Sequence, residues 1–195
     1  MNSNFKNQIG LTLMTIILGA CIGNTKIVEQ ANREFKEVQK IETNNDTTLI
    51  MGYVIASEDS LGFNIKRVTR MKPIKNQSFF YVIKKRKNDE LLAYKYIPYI
   101  ESGDFSVVIY HFFDKEGRTI AYKKRIRFLN SICSEDVLIY DVTEYFNFKG
   151  QSIKSVSSLI NLDGKEMDKK GCIINYSFND RIYLKAIEIP FYSRL

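Results

Sequence analysis

Tryptophan is absent from this chain of 195 residues, histidine occurs once, and cysteine and proline occur three times each. A single His excludes a multi-histidine metal centre. Three Cys are too few for a zinc ribbon or a disulfide-dense miniature scaffold. With three Pro and ten Gly, nothing in the composition favours disorder or a fibrous repeat. What is present is core material: 45% of residues are hydrophobic and 13% aromatic. The length suits one domain. Lys and Arg number 29 against 22 Asp and Glu, a net charge of +7.

The segment from Ile9 to Ala20 is apolar and follows Lys6 and the amino terminus. That is the anatomy of a secretory signal, and it is too short to cross about 30 Å of hydrocarbon as a helix. It ends in Leu18-Gly19-Ala20-Cys21, which resembles the lipobox of bacterial lipoproteins, where small residues precede an essential cysteine. The resemblance covers this segment alone. It implies cleavage between Ala20 and Cys21, a diacylglyceryl thioether on Cys21 and acylation of the new amino group. Two or three acyl chains make a stable tether, whereas one binds only marginally. The residues that follow, Ile22-Gly23-Asn24-Thr25, include neither the Asp of inner-membrane retention nor an acidic surface-export cluster. The expected location is therefore the cell envelope, anchored to the outer membrane and facing the periplasm.

Three segments are expected: a signal at 1–20, an acylated Cys with a tether and short helix at 21–47, and an antiparallel β domain at 48–195. Ile27, Val28, Ala31, Phe35, Val38 and Ile41 recur at helical spacing. From about residue 48, short stretches of Ile, Val, Tyr, Phe and Thr alternate with Gly, Asn and Asp clusters, the pattern of successive antiparallel strands. Ten strands are predicted: 48–56, 63–70, 79–87, 91–100, 105–113, 118–129, 137–146, 152–160, 172–178 and 181–191. Short links such as 88–90 and 101–104 leave no room for parallel crossovers. The expected fold is mainly β, an antiparallel meander forming a sandwich or a partly closed barrel, with one short N-terminal helix.

One turn motif recurs. Phe112-Phe113-Asp114 to Gly117, Tyr145-Phe146-Asn147 to Gly150 and Leu159-Ile160-Asn161 to Gly164 share two apolar residues, Asp or Asn, two free positions and Gly. An Asx side chain caps its own type I turn, and Gly takes positive φ to form a bulge that restores strand twist. These are structural turns. They lack the alternating acids of a calcium loop and are too unevenly spaced for a solenoid or propeller.

Strand 118–129 places Ile120, Tyr122, Ile126 and Phe128 on one face with Lys124 as the exception, and Ala121, Lys123, Arg125 and Arg127 on the other. One face reads as core and the other as cationic. Strand 105–113 is apolar on both faces and so reads as central and doubly covered. The basic residues Lys84 and Arg86 with Lys123, Arg125 and Arg127 offer a patch for an anionic envelope component, with a simple solvated face as the alternative. Nucleic acid is not an expected partner, because the chain is exported and carries no nucleic-acid signature.

Cys133 and Cys172 remain once Cys21 is acylated. A disulfide between them would constrain the unfolded chain by roughly 3–4 kcal/mol; alternatively Cys172 is a small core residue. His111 sits in the doubly apolar strand, where a general-base role with Asp141, Glu144 or a serine competes with a packed, hydrogen-bonded imidazole. No Gly-x-Ser-x-Gly nucleophile motif is present, nor Ser-x-x-Lys beyond the signal. No metal or cofactor is expected. The sequence points to a non-catalytic binding or structural module held at the membrane. A small hydrophobic-ligand carrier with a lipocalin-like cavity is the alternative, although the Gly-x-Trp signature of that family is missing. An envelope hydrolase stands third.

Overall fold

The computed structural model describes residues 3–44, 50–59, 62–68, 78–84, 90–129, 136–168, 180–189 and 192, with side chains left aside at 3–22, 51 and 53–68. Helix α1 runs Ser3–Thr43 and is followed by eight strands: β1 Ile50–Asp59, β2 Gly62–Val68, β3 Phe79–Lys84, β4 Leu91–Ile97, β5 Phe105–Phe113, β6 Thr119–Phe128, β7 Leu138–Phe146 and β8 Ser152–Asn161. They form one antiparallel sheet in the order β2-β1-β3-β4-β5-β6-β7-β8. From β3 to β8 the chain meanders as the strand pattern predicts.

Two expectations need correction. β1 pairs with both β2 and β3, so β2 and β3, consecutive in sequence, are not neighbours in the sheet. The segment expected as a strand at 181–191 instead docks by an isolated bridge, Arg118 to Lys185, and a 3-10 turn at Ala186–Glu188. Its apolar alternation reflects residues laid over the sheet, not a ladder at its edge. The strand expected at 172–178 lies outside the described residues.

The sheet does not close among the described residues, so the barrel alternative is not formed. The layering is sandwich-like, with α1 in place of a second sheet. Ile27, Ala31, Glu34, Val38 and Ile41 make the buried stripe of the helix, spaced four, three, four and three residues apart as a 3.6-residue period requires. The four apolar members share a core with Ala93, Phe112, Ala121 and Tyr145, one register row running across β4 to β7. The small residues of that row let the helix approach while the large ones fill the space beside it. Phe35 meets Phe112 edge to face at 5.8 Å, and the Tyr145 hydroxyl donates to Asn32 Oδ1 at 3.1 Å. Residues 27–43 thus pack as part of the folded unit.

The opposite face carries its own core, Val107, Ile109, Tyr122, Ile126, Phe128, Leu138 and Leu159, with Phe80, Val82, Tyr94 and Phe113 packed under Ala186 and Ile189. β5 is therefore covered on both sides, as its double apolarity predicts. The three Asx-x-x-Gly turns form as expected. Gly117, Gly150 and Gly164 have φ of 72°, 76° and 79°. In each, the Asx Oδ1 accepts the backbone N–H four residues on, at 2.9, 3.0 and 2.8 Å.

Candidate functional site

Each face of β6 holds a different constellation. On the helix side, Lys123 and Arg125 face Asp141 of β7. The Arg125 guanidinium donates to both Asp141 oxygens at 2.7 Å, and Lys123 Nζ lies 3.5 Å away and 4.1 Å from the Phe35 ring centroid. Burial alone would raise the Asp141 carboxyl, but the Arg125 and Lys123 cations outweigh it and hold it below its ordinary value. Burial pulls Lys123 down against that same attraction. The sequence places these cations on one face, as expected, yet two of the three are already engaged by a carboxylate on the neighbouring strand. Arg127 is exposed. Lys84 ends β3, with β4 and β5 between it and β6, and Arg86, Cys133 and Cys172 lie outside the described residues. Cys21 falls within the backbone of α1, its side chain among those left aside.

On the other face lies a cleft of about 430 Å³. Its floor is two strands wide and three residues long: Tyr122, Lys124 and Ile126 of β6 against Glu144, Val142 and Tyr140 of β7, paired in that order. Asp180 and Ile182 form the wall. The adjoining positions on β8 are Ser155 and Ser157, both exposed, whose small side chains leave that flank low. Lys124, the sequence's one exception on an apolar face, reaches Asp180 Oδ1 at 2.9 Å.

Burial lowers Lys124, with Glu144 opposing, and burial raises Asp180, with a backbone hydrogen bond opposing. Burial thus draws both ends toward their neutral forms. At the cleft's inner end the Tyr122 hydroxyl is buried and has no hydrogen-bond partner among the described residues. Leaving such a group unpaired costs about 1–3 kcal/mol.

No family model, curated protein or solved structure matches the chain.

His111 lies beside this site but does not open into it. It is 1% exposed, and its ring is 5.9, 5.2 and 5.4 Å from those of Tyr94, Tyr122 and Tyr183. Nε2 accepts the Tyr183 backbone N–H at 3.1 Å, which assigns the remaining proton to Nδ1. Burial lowers its pKa to about 3, only partly opposed by the Arg181 backbone. Asp141, one of the suggested partners for a general base, projects from the opposite face of the sheet. Glu144 shares the face of His111, but Tyr122 of β6 stands between them in register. Among the described residues no group of three or more His, Cys, Asp or Glu is placed to hold a metal ion.

The cleft was foreshadowed in the sequence only by Lys124. Its wall, Asp180 and Ile182, comes from a segment whose pattern reads as another strand.

Proposed function

We propose that the chain is a lipid-anchored protein of a bacterial cell envelope, tethered through Cys21 at the outer membrane and facing the periplasm, that works by binding rather than by catalysis. The cleft between β6, β7 and Asp180 is its recognition site. The observation that carries this reading is the cleft's mixture of chemistry: an unpartnered Tyr122 hydroxyl and a Lys124, Asp180 and Glu144 cluster set among Ile126, Tyr140, Val142 and Ile182. Pockets that hold small molecules combine mostly apolar walls with a few placed polar groups in this way. The ligand is a small amphiphile whose polar end accepts from Tyr122 and pairs with Lys124. A lipocalin-like apolar interior has less support, because the sheet is not closed and the cleft is half polar.

Native mass spectrometry of the full-length protein released from membranes tests the reading. A non-covalent small molecule seen with wild type and lost in Lys124→Met and Tyr122→Phe is the expected result. Wild type free of any bound molecule, and unchanged in stability by a panel of anionic, zwitterionic and cationic amphiphiles, would overturn it.

A further inference from the structure

The charges of the cleft do not balance, and the imbalance bears on the chemistry of its ligand. This rests on the proposed reading of the cleft as a recognition site. Its lining holds three charged residues, Lys124, Asp180 and Glu144. Lys124 and Asp180 are matched one to one at 2.9 Å, with side chains 21% and 13% exposed. Glu144 has no hydrogen bond or ion pair among the described residues, yet its field reaches Lys124 and favours the charged form of that amine against burial. One cation against two carboxylates leaves the lining with a net charge of −1, in a chain whose own net charge is +7. The other described cations around it are turned elsewhere: Lys123 and Arg125 lie on the helix side with Asp141, Lys154 lies over the Tyr145 ring and Arg181 over the Tyr183 ring.

Strand register sets where the uncommitted charge stands. Glu144 of β7 faces Tyr122 of β6 on one side and Ser155 of β8 on the other, and side chains so opposed begin about 5 Å apart. Lys124 is its diagonal neighbour, at about 7–8 Å. Tyr122 is 2% exposed and its hydroxyl has no hydrogen-bond partner among the described residues. A donor and an acceptor, neither engaged within the protein, therefore stand side by side, and any ligand group that accepts from Tyr122 finds Glu144 next to it. An anionic group alone would meet that carboxylate at short range, and in a half-desolvated cleft the repulsion offsets the attraction of a Lys124 already paired with Asp180. A primary ammonium joined to the anion by a short spacer removes the conflict: it donates to Glu144 in a charge-assisted hydrogen bond and has the exposed Ser155 as a second acceptor. Ile126, Tyr140, Val142 and Ile182 supply apolar ground for a hydrocarbon chain.

We infer that the cleft selects zwitterionic amphiphiles, with an anionic group meeting Tyr122 and Lys124 and a primary ammonium meeting Glu144. Two probes that differ only in their headgroup, a short-chain lysophosphatidylethanolamine and the matching lysophosphatidylglycerol, are titrated calorimetrically into the full-length protein in non-ionic detergent. Wild type should bind the ethanolamine probe at least about tenfold more tightly than the glycerol probe, the ratio set by one hydrogen bond to a charged group. Glu144→Gln, which keeps the size and shape of the side chain, should bring the two affinities together, whereas Tyr122→Phe and Lys124→Met should weaken both probes. Equal affinities in wild type, or an ethanolamine preference that survives Glu144→Gln, overturns the inference; where Tyr122→Phe and Lys124→Met still abolish binding, the recognition site is left standing. No binding of either probe likewise overturns the selectivity. Binding of both probes that is unmoved by Tyr122→Phe and Lys124→Met overturns the recognition site itself, and the selectivity with it.

Discussion

His111 is the only histidine in the chain, so its burial gives an acid sensitivity that can be measured without interference from other imidazoles. In the unfolded chain it titrates at its ordinary 6.5; in the fold, burial takes it to about 3. Between those values the unfolded state binds a proton that the native state does not, so stability is full above pH 6.5 and falls as pH drops toward 3. From pH 7 to pH 4.5 the loss amounts to about 2.5 kcal/mol, taking 1.36 kcal/mol per unit of displaced titration. The assay is urea unfolding followed by far-ultraviolet circular dichroism at both pH values. His111→Gln serves as comparison, since it offers an acceptor to the Tyr183 N–H and does not titrate. Carboxylates such as Asp141 and Asp180 also titrate in acid, but they are common to both proteins, and the difference between the two slopes isolates the imidazole. Wild type should lose about 2.5 kcal/mol more than His111→Gln over this interval. Parallel slopes, or a single imidazole proton resonance titrating near 6.5 in the folded protein, would refute the burial argument.

Asp114 is 4% exposed and accepts from the Glu116 and Arg118 N–H groups and from Arg118 Nε at 2.7–3.0 Å. Asp114→Ala should therefore destabilise by about 2–3 kcal/mol, against about 1 for Asn147→Ala at the more exposed sister turn; equal losses in urea titrations would contradict this. Gly150→Ala and Gly164→Ala both force a side chain into positive φ and should each lose about 1 kcal/mol. The extra contact of Gly150 is with the exposed end of the Leu184 side chain, which can turn aside and adds little, so a Gly150→Ala deficit more than twice that of Gly164→Ala would show Leu184 to be held rigidly. Ala121→Leu inserts three carbons beneath α1 at a site 2% exposed. It should cost about 1–3 kcal/mol and speed hydrogen exchange across residues 27–43, whereas unchanged exchange would mean that the helix is not seated on the Ala121 row.

Much of the sheet could be read from sequence because local chemistry decided it. The Asx-x-x-Gly turns dictate their own geometry through side-chain acceptors and a positive-φ Gly, and in doing so they pin the registers of β5 with β6 and of β7 with β8. The double apolarity of Phe105–Phe113 announced a central strand, and the 3.6-residue stripe from Ile27 announced the helix. The engagement of Arg125 by Asp141 was not legible, since β6 and β7 are joined by a longer link that sets no register, and a shift of one residue would have turned Asp141 to the other face. The segment after Asp180 misled because a chain laid across a sheet alternates apolar and polar residues much as an edge strand does. Of the cleft, only the misplaced cation at Lys124 showed; the partner that closes it is 56 residues away in sequence.

The seat of α1 also governs the order in which the molecule can assemble. The contact between Asn32 and Tyr145 joins residues 113 apart, and the row beneath the helix is built from four strands, the last of which ends at Phe146. The helix is thus among the first segments made and among the last able to dock. Its apolar stripe waits uncovered until β4 to β7 have paired, so helix docking is the step that must close the longest loop, and the stripe stays exposed until then.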